Sequence, residues 1–172
     1  MERRSLTYLK CGFLFLCLNI NISSFELLPD FVGFLLLFGS IQSHSRQTEA
    51  EKTLKPLLLI LAADYFLHWI LDFQNGIEAL LALVISLYVL FVLIGEVAER
   101  IRPEQSDKAS LLGHIRQLIL VQQVIFFGIT AYGNEVLNGV AVVVALVTWI
   151  VLLAVVCTIR SGVAAKDTMN IG

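Results

Sequence analysis

Charge is the scarcest commodity in this chain. Only 15% of its 172 residues are Asp, Glu, Lys or Arg, whereas 58% are hydrophobic. Ordinary soluble domains are about 25% charged and about 45–50% apolar. A water-soluble globule of 19.1 kDa with a mean hydropathy of +0.83 would leave much of that apolar surface in water, which excludes an ordinary cytosolic enzyme and a disordered tail. The net charge of −2 supplies no basic field for phosphate backbones, so no nucleic-acid partner is expected. Cysteine is also sparse. Cys11, Cys17 and Cys157 fall in apolar runs, so no disulfide framework is expected and each reads as a small apolar residue. A Gly-rich phosphate loop, a nucleophile elbow, an H-E-x-x-H pair and a CxxC pair are all missing. Their absence argues mildly against an enzyme, and no cofactor is implied.

What remains is apolar and helical. Uncharged runs cover residues 11–25, 31–45, 79–95, 117–134 and 136–159, and a further apolar stretch at 57–71 is broken by Asp64 and His68. A spanning helix needs about 20 mostly apolar residues. Inside a bilayer every backbone N–H must be satisfied within its own segment, so β-branched runs such as 140–144 also become helical. The expected fold is an all-α integral membrane protein with six transmembrane helices, at about 7–24, 29–45, 54–73, 77–99, 109–132 and 136–160. The turns at 21–24, 74–76 and 133–134 are short and rich in turn formers, which forces antiparallel neighbours. The chain is then three outward-pointing hairpins in one bundle, a single domain over 1–172. The N-terminal segment imitates a signal peptide but has no A-x-A-like site, so a retained first helix is expected.

The charges sort by side. All 12 Lys and Arg precede helix 1, lie between helices 2 and 3 or around the junction of helices 4 and 5, or follow helix 6. The positive-inside rule makes those segments, and both termini, cytoplasmic. Eight acids accompany them; Glu26, Asp30, Asp72, Glu78 and Glu135 lie outside, and Asp64 falls within the membrane. The small net charge therefore conceals a split of about +4 inside and −5 outside, which is the sidedness expected of a plasma-membrane protein.

Local signals mark the boundaries. Pro29 suits the first turn of helix 2, and Asp30 beside it is favoured by the helix dipole. Thr48-Glu49-Ala50-Glu51 fits a capping box leading into helix 3, where Pro56 would start or kink the span. Glu96 and Arg100 can pair at i, i+4, and Pro103 ends helix 4. Arg116 is expected to snorkel to the cytoplasmic interface, while His44 and His114 read as ordinary polar ends. The run Leu28-Pro29-Asp30-Phe31-Val32-Gly33-Phe34, following an Asn-containing turn, resembles a hairpin of small, uncharacterised multi-spanning membrane proteins of Gram-positive bacteria. The resemblance spans about residues 10–45. It implies a bacterial plasma membrane and brings no activity, ligand or catalytic residue. In size and topology the chain also resembles the substrate-binding subunits of energy-coupling-factor vitamin transporters.

Chemistry concentrates on helix 3. Nine residues at a rise of about 1.5 Å carry Asp64 about 13–14 Å in from Lys55, near the middle of a core about 30 Å thick. An acid there costs about 2.5–3.5 kcal/mol on insertion scales and is a functional candidate by default. His68 and Asp72 continue the i, i+4, i+8 series, making one polar stripe bordered by Tyr65 and Trp69. Such a stripe can relay protons through the imidazole, attract a cationic solute through its acids, or supply half of a metal site. The metal alternative lacks a second His or Cys cluster. The bland alternative is an Asp64–His68 pair satisfied inside the bundle.

Gln122 and Gln123 of helix 5 sit at about the depth of Asp64, and one of them could bond it while the other lines a cavity; polar glue between helices is the competing account. Glu26, Asp30, Glu78, Tyr132 and Glu135 make an outer mouth without bases, which would draw in cations. Ala141 and Ala145 on helix 6 have small-xxx-small spacing, suited to close packing inside the bundle, in a homo-oligomer or on a membrane protein partner. Three functions follow. The first is binding or transport of a small solute, cation or proton along an outward-facing path ending at Asp64. The second is a non-catalytic accessory subunit acting through helix–helix contacts. The third is a membrane enzyme built on Asp64–His68, for which no third catalytic group is visible.

Overall fold

A computed structural model describes residues 3–17, 21–22, 25–26, 30–44, 47–71, 76–132 and 135–159; the side chains at 21–22, 25–26, 76–77, 79, 126–132, 135 and 138 lie outside the description. Among the described residues there are six helices: α1 (Arg3–Cys17), α2 (Asp30–Gln42), α3 (Glu49–Leu71), α4 (Gly76–Ile101), α5 (Ser106–Tyr132) and α6 (Glu135–Thr158). Each packs against its neighbour in the chain, and α6 returns to α1, closing the bundle.

Three of the six are long and apolar enough to cross a membrane: Glu49–Leu71, Leu80–Ile101 and Gly139–Thr158, with mean hydropathies of 1.5, 2.6 and 3.1. Only 22%, 33% and 28% of those windows is buried inside the bundle, so most of their apolar surface faces outward. Exposed Val140, Val143, Val147 and Ile150 on α6, and Leu67, Ile70 and Leu71 on α3, require an apolar solvent. This is a membrane-embedded helical protein.

The expectation of six spans is met as six helices but not as six membrane-length ones. α1 and α2 have 15 and 13 residues. At about 1.5 Å per residue they reach about 22 and 20 Å, short of a core about 30 Å thick. α5 has the length, at 27 residues, but His114, Arg116, Gln117, Gln122 and Gln123 interrupt its apolar content. Helix 1, expected to reach residue 24, is described as α1 up to Cys17, and residues 18–20 and 23–24 lie outside the described residues. Beyond it, Asn21–Ile22 pairs antiparallel with Phe25–Glu26, Ile22 opposite Phe25. Pro29 lies outside the described residues.

α3 begins at Glu49, earlier than expected, because the capping box forms. The Thr48 amide donates to Glu51 Oε2 at 3.1 Å, and the Glu51 amide donates to Thr48 Oγ1 at 3.2 Å. Pro56 is accommodated inside α3. α4 ends at Ile101, two residues before Pro103.

α1 and α2 cross at their glycines. A Cβ on Gly12 would come 2.7 Å from Leu37 Cδ2 and 3.1 Å from the Gly33 carbonyl oxygen; one on Gly33 would come 2.9 Å from Leu16 Cδ2. Gly33 of the Leu-Pro-Asp-Phe-Val-Gly run is thus a point of close approach. The core below it joins Leu9, Phe13, Leu37, Ile41, Leu54, Leu58, Leu93 and Leu112.

Charged groups fasten one end of the bundle. Lys10 Nζ donates to the carbonyls of Cys157 (2.8 Å) and Ile159 (3.2 Å), and Lys108 Nζ donates to that of Thr158 (2.5 Å). Lysines from α1 and α5 thereby satisfy the orphan carbonyls at the α6 C-terminus, where the helix dipole also favours a cation. Ala141 is buried in the bundle and Ala145 is half-buried.

Candidate functional site

Asp64 and His68 lie on α3 at i, i+4, about 40° apart around the helix. One step round the same helix, Tyr65, Phe66 and Trp69 pack on α2. Phe31 meets Phe66 edge to face at 5.1 Å and Trp69 at 5.9 Å, and Phe34 meets Tyr65 at 5.2 Å. This aromatic seam fixes the rotation of α3, and so fixes where the polar pair stands. Asp64 is about 10 Å from the end of α3 at Leu71, with His68 one turn nearer.

The imidazole does not bond the Asp64 carboxylate. His68 Nδ1 lies 3.0 Å from the Asp64 carbonyl oxygen and 3.8 Å from Asp64 Oδ1. A carbonyl only accepts, so Nδ1 carries the proton and Nε2 keeps its lone pair. The expected partners on the stripe also change. Asp72 lies outside the described residues. Glu78, assigned from sequence to the outer mouth, comes across from the first turn of α4: ligand atoms of Asp64, His68 and Glu78 all lie within 4.8 Å of one another. All three are partly buried, with the side chains of Asp64 and His68 at 19% and 25% exposure. Among the described residues no Lys or Arg pairs with either carboxylate.

The glutamines belong to a different helix pair from Asp64 and His68. α5 packs on α4 and α6, whereas α3 packs on α2 and α4. Gln122 is buried, and its Oε1 finds no hydrogen-bond partner among the described residues; Gln123 is half-buried. Asp30 occupies the first turn of α2, as its position after a proline predicts. Glu26, Tyr132 and Glu135 have described backbones only.

A second polar cluster, at the basic end, escaped the sequence. Ser5 Oγ lies 2.7 Å from His44 Nε2, and His44 Nδ1 lies 2.8 Å from Glu51 Oε1. Arg100 Nη2 donates to Glu51 Oε2 at 2.5 Å, and Ser40 Oγ donates to the Ser5 carbonyl at 2.9 Å. Arg100 thus reaches across to α3, while Glu96, its expected i, i+4 partner, accepts a hydrogen bond from Thr48 Oγ1 at 2.9 Å. His44, expected to be an ordinary polar end, is 8% exposed and joins α1 to α3. The order hydroxyl, imidazole, carboxylate is that of a nucleophilic triad. Ser5 is fully buried, however, and Glu51 already serves Arg100 and its own helix cap. The chain of bonds is a tether across α1, α2, α3 and α4. A signal for it existed: Glu51, Leu54, Leu58 and Leu61 form one buried stripe, placing a carboxylate on the core face.

Arg116 lies over the Phe91 ring, 4.2 Å from its centroid. It fills the space where a Gly95 side chain would be. Together with Leu87, Ile94, Ile119 and Leu120 these residues line a cavity of about 10 Å³, space for about one water.

The fold and this cluster define a class: a helical membrane-embedded protein with an imidazole and two carboxylates gathered between two apolar helices. No protein-family model, curated protein or solved structure matches the chain.

Proposed function

We propose that the protein binds or transports a small solute, cation or proton along a polar path that enters from the outer turns and ends at Asp64. The observation that carries this reading is the meeting of Glu78 with Asp64 and His68 across the α3–α4 hairpin. Two partly buried carboxylates with no Lys or Arg partner among the described residues are costly in an apolar setting, and a bound cation or a shared proton relieves that cost. An imidazole standing between two carboxylates is a group through which a proton can pass.

In the topology that goes with this reading, all six helices traverse or enter the plasma membrane of a bacterium, with both termini in the cytoplasm. The clustering of Lys10, Lys108 and Arg100 at one end of the bundle supports that sidedness. The test is proton or cation uptake into proteoliposomes. Asp64→Asn and His68→Ala should each abolish it while leaving the helical content intact. Unchanged uptake in folded variants would remove Asp64 as the end of the path.

An accessory role is the second reading, favoured by the outward apolar face of α6, where Val140, Val143 and Val147 are exposed. Cross-linking at exposed Cys157 that captures a defined membrane partner, together with wild-type uptake in Asp64→Asn, would favour it.

A further inference from the structure

We infer that Asp64, His68 and Glu78 form a binding site for a first-row divalent transition-metal cation; this rests on the Asp64 path proposed above and names its ligand. The donor set is one imidazole and two carboxylates from two adjacent helices, all within 4.8 Å. Ligand atoms about 2.0–2.2 Å from a single ion stand about 3–3.5 Å apart in tetrahedral geometry, so small side-chain rotations close the site. Charge selects the class of ion. Two carboxylates and a dication sum to zero, which suits a cluster set among apolar residues, whereas a monovalent ion leaves a net negative charge there. The nitrogen donor selects further, since imidazole suits zinc, iron, copper and nickel, and all-oxygen sites suit magnesium and calcium.

The ring of His68 already has one backbone partner. Its Nδ1–H is held by the Asp64 carbonyl at 3.0 Å, so Nε2 is the ring atom with a free lone pair. Metal-bound imidazoles commonly donate their other N–H to a backbone carbonyl, which fixes tautomer and ring direction. The same residue, Asp64, would then orient the imidazole through its backbone and supply a carboxylate ligand. The seam of Phe31, Phe66 and Trp69 holds α3 against rotation behind the site.

The experiment is metal binding to the full chain, stripped with chelator in detergent, using Zn²⁺ in calorimetry and Co²⁺ as an absorption probe. One Zn²⁺ per chain is expected, with Co²⁺ giving visible bands of a mixed nitrogen–oxygen site. Glu78→Gln and His68→Ala should each weaken Zn²⁺ at least tenfold, whereas Glu78→Asp should keep measurable binding; helical content by circular dichroism reports folding. Absence of stoichiometric Zn²⁺ in the wild type, or wild-type affinity in folded Glu78→Gln, overturns the metal site. Proton uptake by proteoliposomes separates the two proposals. If uptake depends on Asp64 but no metal binds, the path stands and the metal site falls; if neither occurs, both fall.

Discussion

The bundle builds a carboxylate and a histidine into each of two places, and treats them in opposite ways. At the basic end, His44 and Glu51 have side chains 5% and 1% exposed, and Glu51 is engaged by His44, Arg100 and the Thr48 amide. In the C-terminal half of α3, Asp64 and His68 are 19% and 25% exposed, and the carboxylate stands 3.8 Å from the imidazole with no Lys or Arg partner among the described residues. A saturated buried network resists change, because removing one member strands the others. An unsaturated cluster has lone pairs left for something else. The difference separates a tether from a candidate binding site, although the residue types are nearly the same.

Breaking the closed end should give the largest effect. Glu51→Ala leaves Arg100 and His44 facing the core without their carboxylate and removes half of the capping box. A loss of about 3–5 kcal/mol is expected. Thermal unfolding in detergent should show a marked drop in midpoint, and a variant as stable as wild type would mean that the network carries no load. Next comes the α1–α2 crossing. Gly33→Leu pushes carbon into Leu16 and toward the Gly12 carbonyl, 3.2 Å from the position of the first added atom. The expected cost is about 1–3 kcal/mol. The same substitution at Gly113, where a Cβ would meet nothing within 4 Å, should be nearly silent in the same assay.

These two sites also mark what could be read in advance. The helices were legible because apolar runs of membrane length permit little else, and the capping box at Thr48 was legible because its donors and acceptors are three residues apart. Asp64 and His68 were found for the same reason: one helix turn sets their relation. The meeting of Glu78 with Asp64 and His68 was not legible, because it depends on how α4 lies against α3, which no local spacing encodes. The His44–Glu51 contact was hidden although the capping box was read, because it joins His44, just beyond α2, to α3 and so depends on how α2 and α3 pack.

Asp64→Asn sharpens the comparison in the other direction. Removing a partly buried charge with no basic partner should leave stability unchanged or raise it by about 1 kcal/mol, a fraction of the mid-membrane cost because the side chain is partly exposed. Thermal unfolding should therefore show no loss of midpoint, while uptake or metal binding is abolished. A midpoint that falls as far as for Glu51→Ala would make Asp64 a second tether and end its candidacy as a site.

The smallest expected effect tests how the closed end is fastened. Lys108→Met removes one cation from the α6 C-terminus, a contribution of about 0.3–1 kcal/mol. Lys10 still holds the carbonyls of Cys157 and Ile159, so the single variant should shift the unfolding midpoint only slightly. With Lys10→Met added, the carbonyls of Cys157, Thr158 and Ile159 lose both donors, and the second substitution should cost more in that background than alone. A double-mutant cycle measures this coupling. Strict additivity would mean that the two lysines act on separate parts of the helix end, and that the basic end is held by the Glu51 network alone.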